Sequence, residues 1–431
     1  MIQLYPWQVA TATRQTDILR ERSIAFNASG TGIGKTYMAA ASAAAFGLPV
    51  LCVPPKSVLT TWRSILEEAG VPEAHVLNWE KLKTTRYGFW EGSCWRFDRE
   101  YFVILDEVHQ GMTGPDSQIT AMAAKLRAYP SMPKLLMSAT LADSPLQLRA
   151  LGYLLGLHNF SEADFYAWCL RTGCERVRRP NGRGAFVSVI EMPRDRKRAT
   201  DTMLRLRQQL EPFMVRLTSD NAPGFPDTEI MAKCFDLGQS GTAEVRKLYA
   251  EIAAKHHTNS DDVRAQLVKA RQRTEVLKVP VLAELAKALV AEGKSAVVFL
   301  NFHEPMDLLA RELGGNVVQI RGGQSDTDRS RSIELFQSNA VPVCVAQTQA
   351  GGVAVSLHDV TGTRPRASLL CPDWDAKRMV QCLGRIHRAG GTKTIQMFVL
   401  AAGTLEEKVK RSLDRKRNNI DTLNDGDLIG L

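Results

Sequence analysis

No two of the eight cysteines (Cys52, Cys94, Cys169, Cys174, Cys234, Cys344, Cys371 and Cys382) form a C-x-x-C pair. The closest two, Cys169 and Cys174, have no second pair to accompany them. Structural zinc needs about four clustered ligands, so zinc is not expected and the thiols read as reduced and mostly buried. No apolar run is long enough to cross a bilayer. The opening residues, MIQLYPWQVATATRQTD, lack the basic start and apolar centre of a secretory leader. Membrane association is therefore not expected, and a cytoplasmic location is. Long low-complexity tracts and short-period repeats are missing as well.

What is present is ordinary globular material: 431 residues, 44% hydrophobic and 23% charged. That length suggests two or three domains, each able to bury a core. The net charge of +9 is compatible with a polyanionic partner. Apolar strand-like runs recur at 49–55, 101–107, 134–140, 295–302, 341–348 and 367–373. Between many of them lie stretches with helical spacing, clearest at 279–293, where Val281, Leu282, Leu285 and Leu289 share one face. Continuous apolar strands alternating with helices predict parallel sheets covered on both faces, an α/β fold. The alternation falls in two blocks, 1–157 and 275–411. The segment between them, 158–274, reads as a mainly helical, arginine-rich insertion or linker with a basic hairpin turning at Asn181-Gly182. Residues 412–431 read as a short helix and tail.

The stretch SGTGIGKTYM (29–38) carries phosphate-loop chemistry. Small residues let backbone N–H groups close around phosphates at a helix N-terminus. Ser29, Gly30, Thr31, Gly32, Ile33 and Gly34 would form that loop, Lys35 would reach the β and γ phosphates, and Thr36 would bind Mg²⁺. ATP with Mg²⁺ is thus the expected cofactor. About seventy residues on, the apolar run YFVIL ends in Asp106-Glu107. In phosphate-loop enzymes a carboxylate after such a strand holds Mg²⁺, and a neighbouring one can polarise the attacking water.

Together with SAT at 138–140, these residues resemble superfamily two helicases and translocases, whose loop reads A-x-T-G-x-G-K-T. Ser29 then stands for the family's alanine and is not a damaged glycine. QCLGRIHRAGG (381–391) is similar to the family's Q-x-x-G-R-x-x-R, matching Gln381, Arg385 and Arg388. The resemblance is nearest the Swi/Snf-like branch, through LYPWQ (4–8), VPPKSVLTTWRSIL with Trp62, NWEKL (78–82), LEPFMVRLTSD (210–220), IRGGQSDTDRSRSIELF (320–336) and AGTLEEKV (402–409). There are departures. SATLADSPLQL (138–148) replaces that branch's usual GTP-x-x-N, Ala354 and Ser356 stand where glycine and asparagine are usual, and Gly391 stands for glutamine. The economy of the chain resembles helicases carried by phages or small mobile elements, for which the location would be the host cytoplasm.

The resemblance implies two RecA-like parallel-sheet lobes in tandem with ATP in the cleft. Gln8 would read adenine. Arg385 and Arg388 would stabilise charge on the γ-phosphoryl group, and Ser138, Ala139 and Thr140 would couple hydrolysis to lobe movement. Lys56, Ser57, Ser325, Arg329 and Thr348 match elements that contact the nucleic-acid backbone in relatives, with DNA the favoured partner. Phosphate contacts position a motor without specifying sequence. Arg176, Arg178, Arg179 and Arg183 either clamp the duplex or form a solvated hairpin. Trp374 is expected to pack and not to stack on bases. Three functions fit: a translocase on duplex or fork DNA, a helicase separating strands in replication or repair, and a DNA-tracking remodeller that displaces bound proteins. The last would need replication, repair or transcription partners.

Overall fold

The computed structural model describes residues 2–407, apart from 110–111, 113–116, 140–141, 181–184, 255–259, 352–354, 374 and 405. The Asn181-Gly182 turn, Arg183, Thr140, Ala354, Trp374 and the 412–431 tail lie outside the described residues. The described part of the chain divides into two compact units that meet in sequence at Pro223 and Gly224.

The first unit is built on a six-stranded sheet, all parallel, in the order Met214–Val215, Ile24–Asn27, Lys134–Met137, Phe102–Leu105, Val50–Val53, Ala74–Val76. Its central strands are buried throughout, as expected for a parallel sheet covered on both faces. Ile24, Phe26, Leu51, Val53, Val103, Leu105 and Leu136 supply one of its cores. Because every strand runs the same way, the loops after Asn27, Val53, Leu105 and Met137 leave from one edge. That edge is where open α/β sheets place their ligands.

The second unit repeats the plan. Its six parallel strands lie in the order Thr228–Phe235, Thr394–Ala401, Arg366–Leu370, Ser295–Leu300, Val343–Gln347, Val317–Ile320. Strand alternation divides its core in two. Val297 and Phe299 face one cluster with Cys344, Leu370 and Ile386. Ala296, Val298 and Leu300 face the other with Leu282, Met306 and Val345. The helical spacing at 279–293 belongs to one long helix, Ser260–Ala291. Its buried side is Val279, Leu282, Ala283 and Ala286, while Val281, Leu285 and Leu289 are half-buried against the same cluster.

Each of the six expected runs contains a strand. The segment 158–274 holds the helices Glu162–Thr172 and Arg196–Leu210 and an antiparallel hairpin, Glu175–Pro180 with Phe186–Glu191. It also supplies an outer strand to each sheet, Met214–Val215 to the first and Thr228–Phe235 to the second. Both are edge strands with a single neighbour and mixed burial, so neither shows the continuous apolar run that marks the central strands. Six of the eight cysteines are buried, with Cys94 and Cys234 exposed. Among the described residues no helix is long and apolar enough to cross a membrane.

Candidate nucleotide site

The phosphate loop hangs between the buried strand Ile24–Asn27 and the helix Lys35–Phe46. Gly32 and Gly34 take left-handed backbone, φ 73° and 89°, which glycine adopts without the Cβ penalty. At Gly34 a Cβ would also lie 2.2 Å from Gln8 Nε2. Gln8 is buried against the loop. Its Nε2 donates to Ile33 O at 2.8 Å, and its Oε1 accepts from Tyr5 N at 2.9 Å. Lys35 Nζ donates to the loop's own carbonyls, Ser29 O at 2.9 Å and Gly30 O at 2.7 Å. Thr36 follows in the first turn of the helix.

Two further sets of contacts hold the loop from behind. Asn27 Oδ1 accepts from Ser29 N at 3.0 Å, and Asn27 Nδ2 donates to Gln15 Oε1 at 2.7 Å. Gln15 Nε2 and Thr16 Oγ1 then both reach Ser42 Oγ, at 2.8 and 2.9 Å. This buried polar network ties the loop to the helices on either side of it. On the other flank Ser29 Oγ accepts from Leu217 N at 3.0 Å and Gly30 N donates to Leu217 O at 2.9 Å. Arg216 donates to Ala28 O. The hydroxyl at position 29 thus has a structural partner that alanine would not satisfy.

Asp106 and Glu107 leave the end of Phe102–Leu105. Trp62, buried in the helix Leu59–Glu68, donates Nε1 to Asp106 Oδ2 at 2.9 Å, and Glu107 N donates to Asp106 Oδ1 at 2.9 Å. Burial, reinforced by the charge of Glu107, pushes the Asp106 carboxyl up to about 7. The Trp62 hydrogen bond and the Lys35 ammonium oppose this rise. Glu107 takes left-handed backbone, φ 50°, a strain that persists where the surroundings over-determine it. His109 Nδ1 lies 3.2 Å from Glu107 Oε2 and 2.8 Å from Ser138 Oγ. Ser138 N donates to Asn27 O at 3.1 Å, which returns the chain of contacts to the loop strand. Lys35, Asp106, Glu107, Ser138 and Ala139 are therefore gathered at one sheet edge.

In the second unit, Gln381 and Arg385 are buried on the helix Ala376–Ile386. Arg385 Nη1 and Arg388 Nη2 each donate to Val355 O at 3.4 Å, and Leu357 N donates to Arg385 O at 2.9 Å. Both guanidiniums thus converge on one short stretch of chain. Gly391, where the branch has glutamine, has room for little more: a Cβ there would lie 3.1 Å from Arg388 O.

The residues matched to backbone-contacting elements fall into three groups. Lys56 is exposed, on the turn Lys56–Val58 with Ser57. Ser325 caps the helix Asp326–Gln337 through Asp328 N at 3.1 Å, and Arg329 on that helix donates to Arg321 O at 3.4 Å. Thr348 is fully buried and donates to Leu300 O at 3.1 Å, so its hydroxyl braces the chain and does not face solvent. In the hairpin, Arg176 and Arg178 are exposed, whereas Arg179 Nε donates to Glu191 Oε1 at 2.8 Å.

Sequence reading gave no role to His109, Trp62, Gln15, Asn27 or Leu217. Trp62 and Leu217 stand in segments that resemble the branch, and His109 lies two residues after Glu107. Their contacts span separations that no local pattern reports.

Two parallel-sheet units, a phosphate loop, an acidic pair after a core strand, SAT and Q-x-x-G-R-x-x-R, in that order, are the features of superfamily two helicases, nearest their Swi/Snf-like branch. The chain is similar to ATP-dependent helicases of that superfamily. Residues 278–390 match the helicase conserved C-terminal domain. Over 468 residues the chain is 29% identical to "Putative ATP-dependent RNA helicase L364" of Acanthamoeba polyphaga mimivirus, covering 99% of this chain and 85% of that protein. It is 28% identical over 145 residues to Helicase SWR1 of Cryptococcus neoformans, covering 32% of this chain and 11% of that one. It is 26% identical over 168 residues to DNA repair protein RAD5A of Arabidopsis thaliana, covering 38% and 16%. Among solved structures, S. cerevisiae Dbp5 bound to RNA and ADP BeF3 is similar at a TM-score of 0.55 with 13% identity, covering 99% of this chain and 93% of that one. That likeness is one of fold.

Proposed function

We propose that the chain is a motor that hydrolyses ATP to move along duplex or forked DNA without sequence specificity. The arrangement of Lys35, Asp106, Glu107, His109 and Ser138 at one sheet edge is the observation that carries this reading. Lys35 holds the β and γ phosphates, Glu107 orients the attacking water, and His109 links that carboxylate to Ser138. The oxygens of Thr36 and Asp106 are hard donors that suit Mg²⁺, whose remaining ligands come from phosphates and water. Bound there, Mg²⁺ would neutralise charge developing on the phosphates. Arg385 and Arg388 stabilise the γ-phosphoryl group during transfer. DNA is favoured by the Swi/Snf-like order of motifs and by the likeness of parts of the chain to SWR1 and to the DNA repair protein RAD5A. A second reading places the motor on RNA. It is favoured by the mimivirus relative, which is named as an RNA helicase and aligns with 99% of this chain.

Steady-state ATP hydrolysis with no nucleic acid, duplex DNA, forked DNA, single-stranded DNA and RNA tests this, with Lys35→Ala as the blank. Stimulation by duplex or fork supports the DNA motor. Stimulation by RNA alone transfers the assignment to RNA. Stimulation by single strands alone favours strand separation, and turnover no higher than the blank removes the reading.

A further inference from the structure

The hairpin Glu175–Pro180 with Phe186–Glu191 is the one two-stranded ribbon of its length among the described residues. Its register pairs Pro180 with Phe186, Arg178 with Ser188 and Arg176 with Ile190. Directly opposed residues share a face, and faces alternate along a strand. Phe186, Pro180, Arg178, Ser188, Arg176 and, at the root, Ile190 therefore lie on one face, and Val187, Arg179, Val177, Val189, Glu175 and Glu191 on the other.

The two faces differ in how their charges are satisfied. On the second face Arg179 pairs with Glu191. On the first, Arg176 and Arg178 are exposed and make no ion pair or side-chain hydrogen bond among the described residues. The root of the hairpin is anchored. Ile190 and Met192 pack against the core of the first unit, and Arg198 Nη1 holds Glu175 Oε1 at 2.7 Å. Its far end is not: Phe186 is 69% exposed, the most exposed large apolar side chain among the described residues. An isolated two-stranded ribbon has no core for such a ring to join.

We propose that this face is a contact for single-stranded nucleic acid, with Phe186 stacking on an unpaired base and Arg176 and Arg178 holding the flanking phosphates. The inference rests on the motor reading above. Free guanidiniums beside an exposed ring are the two halves of single-strand recognition: positive charge tracks the backbone, and an aromatic face accepts any base. Arg179 serves a different purpose, holding the ribbon together through Glu191. A base is open to stacking only where strands are parted, so the face would sit at the junction of a fork or on a single strand. DNA and RNA share this chemistry.

The test is equilibrium binding of the whole chain to labelled forked DNA, forked RNA and blunt duplex DNA, over a range of salt. Phe186→Ala is expected to weaken fork binding on the order of 5- to 100-fold and to leave blunt-duplex binding unchanged. Phe186→Trp should restore it, and Phe186→Leu, which stays apolar but cannot stack, should not. Replacing Arg176 and Arg178 together by alanine should flatten the salt dependence by a slope of roughly 1.4, two single-strand phosphate contacts. The fork whose binding falls, DNA or RNA, identifies the strand. Equal fork binding by wild type and Phe186→Ala overturns the inference, as does an equal loss on blunt duplex or rescue by leucine. If ATP hydrolysis by wild type responds to nucleic acid while Phe186→Ala binds normally, this inference alone fails. If it responds to none, the motor reading fails and takes this one with it.

Discussion

The indole of Trp62 donates a hydrogen bond to Asp106 across the edge of the first sheet, Nε1 to Oδ2 at 2.9 Å. Trp62 is buried, and its partner carboxylate is the proposed Mg²⁺ ligand. Outer groups that orient a metal's ligands typically matter by 10- to 100-fold. Trp62→Phe keeps most of the packing and removes the bond. It should raise the Mg²⁺ concentration needed for half-maximal ATP hydrolysis by about tenfold. An unchanged Mg²⁺ dependence with a lower melting temperature would make Trp62 a packing residue only.

Glu107 is held in left-handed backbone at φ 50° with His109 beside its carboxylate. As the group proposed to position water, it should be needed for turnover and not for binding. Glu107→Gln is expected to lower the hydrolysis rate by roughly 10²- to 10⁴-fold while nucleotide affinity, read by a fluorescent ATP analogue, stays within a few-fold. Robust turnover in that variant would remove Glu107 from the role.

The proposed role of Arg388 is charge stabilisation in the transition state. Arg388→Ala should therefore reduce kcat by about 10³-fold or more, as loss of an arginine finger does, with a much smaller change in nucleotide affinity. Equal losses in both would point instead to its packing against Val355 O.

Ser29 binds Leu217 N through its hydroxyl at 3.0 Å in a buried setting. Ser29→Ala would leave that N–H without its acceptor, at a cost of about 1–3 kcal/mol. The variant should unfold at lower urea concentration yet still bind nucleotide, since only the loop's rear support is lost. Unaltered stability would mean that another acceptor takes over.

Glu275 is buried in the second unit, accepting from Asn301 N at 3.0 Å, with Lys278 and Arg271 as the nearby cations. Burial dominates and pushes its carboxyl up from 4.5 to about 7. The folded state then holds a proton that the unfolded state has released, so stability falls as pH rises from about 4.5 to about 7 and levels off above. The loss is on the order of 3 kcal/mol at most. Glu275→Gln should make urea unfolding of the chain less dependent on pH across that window. Parallel pH profiles for wild type and variant would contradict it.

Sequence alone determined the parts of this protein that depend on short-range order. Central strands such as Phe102–Leu105 and Ser295–Leu300 are legible because a strand buried on both faces must be apolar throughout. The phosphate loop is legible because backbone N–H groups can wrap phosphates only where glycine permits the turn. The acidic pair and the arginine motif stand at fixed offsets from such elements. Tertiary structure decided what depends on pairing. Edge strands Met214–Val215 and Thr228–Phe235 are held by one neighbour each and carry no continuous apolar signal. Trp62 reaches Asp106 over 44 residues, and Leu217 reaches Ser29 over 188. The face shared by Phe186, Arg178 and Arg176 exists only through the hairpin register. Composition locates the arginines, but the strand register puts Arg179 on the face of Glu191, and Arg176 and Arg178 on the face of the exposed ring.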